Sequence, residues 1–221
     1  MKLALPLLAA TALCCAATAA ASAATPTTRF SLEAGATANL AARSIVSDSP
    51  VGALRVHTMG LDLTGVYATR SPRHAFTLRL SYASGEADDS ALLGTQVYEM
   101  EGKLTTLTLM PGYRYTTRLS TRTHLFVGAN AGIAMYRAQD RESLDGHTWV
   151  NVSARDYGAA ASAEIGLEYA RSERLSFFAA YRVSAATARP ELEWSDGESS
   201  YSAKLNAQLY HSLSAGVRWR F

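Results

Sequence analysis

Side chains able to do acid–base or nucleophilic chemistry are few in this chain, with five histidines and two cysteines among 221 residues. His211 is followed directly by Ser212, a base beside a nucleophile. General base catalysis needs the two groups within hydrogen-bond reach, and adjacent residues on a strand project to opposite faces, so this pair fails wherever the backbone is extended. His57 is the second candidate, provided folding brings Glu99 or Asp156 to it as an orienting carboxylate. His74, His124 and His147 lie beside turn or loop residues, and no histidine pair has metal-ligand spacing with a convincing third ligand. The expectation is therefore no catalytic residue, no metal and no cofactor.

Ionic chemistry is better represented. Arg43, Arg55, Arg137, Arg141, Arg155 and Arg189 fall in or beside polar stretches, and a planar guanidinium suits phosphate. Glu86, Asp88, Asp89, Asp140, Glu142 and Asp145 are acidic enough for weak Ca²⁺ bridging but lack the spacing of a dedicated calcium loop. The formal charge is only +2, without the basic stripe of a nucleic-acid binder, so no nucleic acid is expected as partner.

Several features define the scaffold for these groups. Lys2, an apolar stretch over 3–20 and the Ala21-Ser22-Ala23 site read as a secretory signal peptide at 1–23. Both cysteines, Cys14 and Cys15, fall inside it, and Ala12-Leu13-Cys14-Cys15 fits a lipoprotein site poorly. The remainder, 24–221, is about the size of one all-β domain. No apolar run of about 18 residues follows the signal, so no transmembrane helix is available. What the chain has instead is two-residue periodicity, clearest from Tyr201 to Phe221. There Leu205, Leu209, Leu213, Val217 and Trp219 share one phase, while Lys204, Asn206, Gln208, Ser212, Ser214 and Arg218 share the other.

The same period predicts eight strands, at Arg29–Leu40, Leu54–Tyr67, His74–Ser84, Gln96–Thr117, His124–Arg137, Thr148–Ala170, Leu175–Thr187 and Tyr201–Phe221. Several exceed the usual globular length of about 5–6 residues and suit a tilted membrane strand, which needs about 9–11. Pro111 removes a ladder donor from the fourth strand and predicts a bulge there. Short links after the second, fourth and sixth strands alternate with longer polar ones, the pattern of periplasmic turns and extracellular loops. Both termini are thereby placed in the periplasm, and the six arginines named above on the external side as candidate lipopolysaccharide contacts.

Of the two faces, the polar one holds most of the glycines, together with Glu33, Asp62, Arg79, Arg114, Glu164, Glu168, Arg182, Arg218 and Arg220. An eight-stranded interior is just wide enough to be filled by side chains, and buried charges persist only when paired. An internal network of Glu33, Asp62, Arg79, Arg114, Glu164, Arg182 and Arg218 is the expectation, with Arg220 reaching water at the mouth. The apolar face would then meet lipid, with Tyr67, Phe76, Tyr113, Tyr115, Tyr169, Phe177, Trp219 and Phe221 forming an aromatic girdle near the short turns. A soluble barrel with an apolar ligand cavity is the alternative.

The ending Ser214-Ala-Gly216-Val-Arg-Trp219-Arg-Phe221 resembles the C-terminal insertion signal of Gram-negative outer-membrane barrels. Taken with the signal peptide, the strand count and the loop alternation, the chain resembles the small eight-stranded barrels of the OmpA transmembrane-domain, OmpX and opacity-protein type. The resemblance implies an all-β, antiparallel up-and-down transmembrane barrel in the outer membrane. It also implies a monomer inserted by the barrel-assembly machinery, in contact with outer-membrane lipids and lipopolysaccharide. Such a protein would be an envelope-structural or surface-interaction protein with extracellular ligands bound through its loops. A lipid A-modifying rim enzyme is the second reading and a narrow solute channel the third. Small-barrel lipid A deacylases place His and Ser two residues apart on one lipid-facing surface, unlike the adjacent His211 and Ser212.

Overall fold

The computed structural model describes residues 29–41, 43–47, 53–71, 73–93, 96–144, 147–195, 200–205 and 208–221. The signal-peptide expectation at 1–23 lies outside them. Eleven strands follow in order: β1 (Phe30–Ala41), β2 (Arg43–Ser47), β3 (Ala53–Ala68), β4 (His74–Leu93), β5 (Gln96–Arg118) and β6 (Thr123–Leu144), then β7 (His147–Ala170), β8 (Leu175–Ala186), β9 (Glu191–Ser195), β10 (Ser200–Leu205) and β11 (Gln208–Arg220). Eight of these are staves of one barrel. β3 to β8 pair antiparallel in sequence, β8 pairs with β11, and β1 closes the ring by pairing with both β11 and β3. The eight-stranded antiparallel barrel is borne out. The short strands β2, β9 and β10 form a small extension above β3, away from the turns.

Three expectations change. The strand expected over Tyr201–Phe221 is two, because its neighbours differ along its length: β11 is held by β8 and β1, whereas β10 pairs with β2 and β9. The pattern hides this, since alternation runs unbroken through the change of partner. The polar links 85–90 and 139–143 are not loops. β4 and β5 stay paired up to Leu93↔Gln96, and β6 and β7 up to Leu144↔His147. Beyond the membrane such hairpins meet water on both faces, so they can be strands without an apolar side. Pro111 makes no bulge. Register with β6 is the same on either side of it, Leu109↔Ile133 and Gly112↔Asn130, while Leu78↔Pro111 pairs normally on the β4 side.

At one end the short turns, the start of β1 and the end of β11 form a ring. Arg29 O accepts from Ala68 N, Arg73 O from Thr116 N, Arg122 O from Ala170 N and Arg174 O from Arg220 N, each at 2.7–2.8 Å. Outward-facing side chains are large and apolar: Tyr67 is 52% exposed, Phe76 60%, Leu78 54% and Leu167 49%. The opposite phase is buried and charged. A continuous exposed apolar wall around a polar interior is the reverse of a water-soluble protein and is what a lipid solvent selects. Among the described residues no helix is long and apolar enough to cross a membrane, so the strands do the spanning.

Phe221 helps close the last seam, stacking on Phe30 with ring centroids 5.7 Å apart while its N–H donates to Phe30 O at 3.3 Å. Deleting Phe221 removes both contacts and should lower the yield of heat-modifiable barrel in the outer-membrane fraction. A yield equal to wild type, measured by membrane fractionation and gel shift, would contradict this.

Candidate functional site in the barrel lumen

Side-chain alternation sends one residue in two inward, and on seven of the eight staves an inward position carries a charge. Arg79, Arg114, Glu33, Glu168, Arg182, Asp62, Glu164 and Arg218 are all no more than 7% exposed. Starting at the turn end, Glu168 of β7 pairs with Arg220 and Arg218 of β11. Arg218 continues to Glu33 of β1, Nη2 to Oε1 at 2.6 Å. Arg114 of β5 meets Glu33 with two nitrogens, one at 2.9 Å, and reaches Glu164 of β7 at 3.1 Å. Glu164 also receives Arg79 of β4 and lies 3.6 Å from Arg182 of β8. Arg182 bonds Asp62 of β3 at 2.9 Å, and Thr37 of β1 donates to the same carboxylate oxygen at 2.6 Å. Nine side chains thus form one chain of ion pairs across the barrel.

The remaining stave, β6, shapes the space. The Phe126 ring lies 4.4 Å from the Arg114 guanidinium carbon, a cation–π contact in a desolvated setting. Phe126 needs bare backbone behind it, for a Cβ on Gly166 would come within 2.4 Å of the ring. On β6 itself, a Cβ on Gly128 would stand 3.0 Å from Glu164 Oε1. Next to these glycines Asn130 accepts from Thr77 at 2.9 Å and donates to Ser162 at 3.4 Å. The glycine bias of the polar phase therefore has a steric cause in the lumen.

Beyond Asp62 and Arg182 a cavity of about 80 Å³ lies between Thr37, Asn39, Thr106, Tyr136 and Tyr210. It has room for a few waters, each needing at least about 10–15 Å³ by the same measure. The Tyr136 and Tyr210 rings stack across it at 6.4 Å.

Several residues differ from expectation. Arg220 does not simply face water but binds Glu168, its side chain 32% exposed. Glu168 links the two terminal arginines. The sequence places it in the polar phase of Glu164, on the inward face, but outside the seven residues expected to form the network. Phe126 gave no signal, being an aromatic in a polar phase. Ser212 is buried in the lumen at 3% exposure, whereas His211 lies on the outer wall, its Nδ1 2.5 Å from Tyr181 Oη. His57 is exposed on β3, and Asp156 of β7 accepts the Arg189 N–H at 2.6 Å; with β4, β5 and β6 between these staves, they do not meet. The Glu99 side chain lies outside the described residues. His74 bonds Tyr113 in the aromatic girdle.

Of the six external arginines, Arg137, Arg141, Arg155 and Arg189 are exposed, at the barrel end opposite the turns. Arg43 and Arg55 are placed by backbone register alone, opposite one another on β2 and β3.

A closed barrel with an apolar exterior and an ion-paired interior defines a transmembrane β-barrel protein. The chain belongs to the outer membrane protein beta-barrel domain family, which matches residues 7–221, and its place is the Gram-negative outer membrane. Its fold is similar to that of the outer membrane protein OprG from Pseudomonas aeruginosa, at 13% identity and TM-score 0.55, over 89% of this chain and 97% of that one. It is also similar to the outer membrane protein AlkL, at 14% identity and TM-score 0.51, over 91% of this chain and 94% of that one. Neisserial surface protein A is 14% identical at TM-score 0.42, over 87% and 97%. A search of curated proteins finds no match.

Glu164 touches three arginines, more than any other carboxylate of the network. Breaking a buried ion pair from one side costs about 3–5 kcal/mol, whereas losing the half-exposed Arg220 leaves Glu168 still paired with Arg218. Glu164→Gln should therefore lower barrel stability several-fold more than Arg220→Gln, read as urea midpoints of tryptophan fluorescence in lipid vesicles. Equal midpoints for the two variants would refute the ranking.

Proposed function

We propose that this protein is a closed, non-enzymatic outer-membrane barrel that acts through its outer surface and far-end hairpins, as an envelope-structural or surface-interaction protein. The observation that carries this is the ion-pair chain crossing the lumen. Seven staves contribute to it, and its nine side chains span the barrel from Asp62 of β3 to Arg220 of β11, so a solute would have to break ion pairs to pass. Work by such a barrel falls to what it presents outside. In this reading the turn end and both termini face the periplasm, and the paired extensions of β4 to β7 stand above the outer leaflet as the binding surface for extracellular ligands. The protein works as a monomer. Ser214, Gly216, Trp219 and Phe221 serve as the insertion signal read by the barrel-assembly machinery.

Reconstituted in planar bilayers, the protein should give no steady conductance, and Glu164→Ala combined with Arg114→Ala should introduce or raise one. Large stable channels from the wild type would overturn the plugged lumen and promote the channel reading.

A further inference from the structure

A formal charge of only +2 hides a strong local excess at the turn end of the barrel. Each sector of the ring there carries two arginines. Arg70 and Arg73 lie in the first short turn, Arg118 and Arg122 flank the second, Arg171 and Arg174 the third, and Arg29 and Arg220 stand at the seam of β1 and β11. The exposed carboxylate among them is Glu173 alone. Glu168, just inside the mouth, is already taken by Arg218 and Arg220. The lysines Lys103 and Lys204 lie elsewhere, on the far part of β5 and on β10.

Four of these arginines repeat one structural position. Arg29, Arg73, Arg122 and Arg174 immediately precede β1, β4, β6 and β8, which are alternate staves of the ring. Each gives its carbonyl to the end of the stave beside it. Each also stands two residues before a lumen-side position, Ser31, Ala75, His124 or Ser176. Of these, Ser31, Ala75 and Ser176 are no more than 7% exposed, and His124 Nδ1 is buried. Alternation gives all four arginines the lumen phase, so they encircle the mouth. The opposite phase at this level, facing lipid, holds Phe30 and Phe76.

Eight strands spaced about 4.8 Å apart and tilted about 40° close on a circle about 16 Å across, which sets neighbouring arginine positions about 11 Å apart and each about 8 Å from the axis. Arg29, Arg73 and Arg122 are exposed and have no ion-pair partner among the described residues. The buried network above them is already balanced, four guanidiniums to four carboxylates, and lends no negative charge. Like charges around an opening with low-dielectric walls focus their potential onto it.

We propose that Arg29, Arg73 and Arg122, with Arg174 completing the ring, hold one small soluble oligophosphate across the turn-end mouth of the lumen. The spacing calls for an anion with several charges, since one phosphate cannot serve positions about 11 Å apart. Guanidinium forks on every side match phosphoryl oxygens. A lipid headgroup would meet the ring from its outward phase, which is apolar. The site goes beyond the surface role proposed above and holds whichever side of the membrane the turn end faces.

The test is isothermal titration of the refolded full barrel, in a neutral maltoside detergent, with sodium tripolyphosphate, folding being checked by heat-modifiable mobility. One tripolyphosphate should bind per barrel, more weakly as salt rises. Arg29→Gln with Arg122→Gln, from opposite sides of the mouth, should weaken binding about tenfold or more, as expected for lost charge-assisted bonds. Lys103→Gln with Lys204→Gln removes the same charge far from the mouth and should change it less than about twofold, distant charges being screened. No binding by the wild type, or undiminished binding by folded Arg29→Gln/Arg122→Gln barrel, would overturn the proposal. So would equal weakening by the lysine pair, which would reduce the effect to net charge. Displacement of tripolyphosphate by equimolar phosphatidylglycerol in the micelle would assign the ring to lipid, and equal affinity for hexaglutamate would assign it to an acidic protein; either result overturns the oligophosphate site.

Discussion

Four buried guanidinium groups, joined by Arg220 at the turn-end mouth, share four carboxylates inside the barrel, and the rest of the structure is arranged to make that tolerable. Each charge removed from water costs several kcal/mol, recovered only with close, well-directed partners. Here each of the four network carboxylates has at least two polar partners, and Glu164 has three arginines around it. The arrangement needs staves in correct register, because the partners come from opposite sides of the ring. A one-residue slip would turn a strand's charges into lipid and its leucines into the lumen. The network therefore selects register as well as filling space.

The glycines and the single inward phenylalanine of β6 follow from the same constraint. Long arginine side chains crossing an eight-stranded barrel need small residues opposite them, and Gly128 and Gly166 stand where a methyl group would meet Glu164 or Phe126. Outside, the requirement inverts. Lipid supplies no hydrogen bonds, so the wall is leucine, isoleucine, tyrosine and alanine, and its polar atoms pair with each other, as in Tyr181 and His211.

Much of this was legible in the chain because both barrel faces follow the simplest period a strand has. Inward and outward residues could be assigned from Glu33, Asp62, Arg79 and Arg114 alternating with leucine and tyrosine, and strand count followed from the turns. Less legible was whatever depends on which strand lies alongside. The break between β10 and β11 leaves alternation intact and shows only in a change of partners. The hairpin extensions of β4 to β7 look like polar loops because both their faces meet water. Pro111 kept its register because the donor it lacks is missing from one side of the strand only. Arg220, near a turn, reads as a solvated end, and only its pairing with Glu168 shows otherwise.

The central claim is that the arginines are sealed in the lumen, and side-chain hydrogen exchange addresses it directly. In the labelled barrel in lipid nanodiscs, NMR of arginine Nε–H groups after transfer to deuterated water should show Arg79, Arg114, Arg182 and Arg218 persisting long after Arg137 and Arg155 have vanished. If all six exchange together at the rate of free arginine, the lumen is wet and open and the account is wrong.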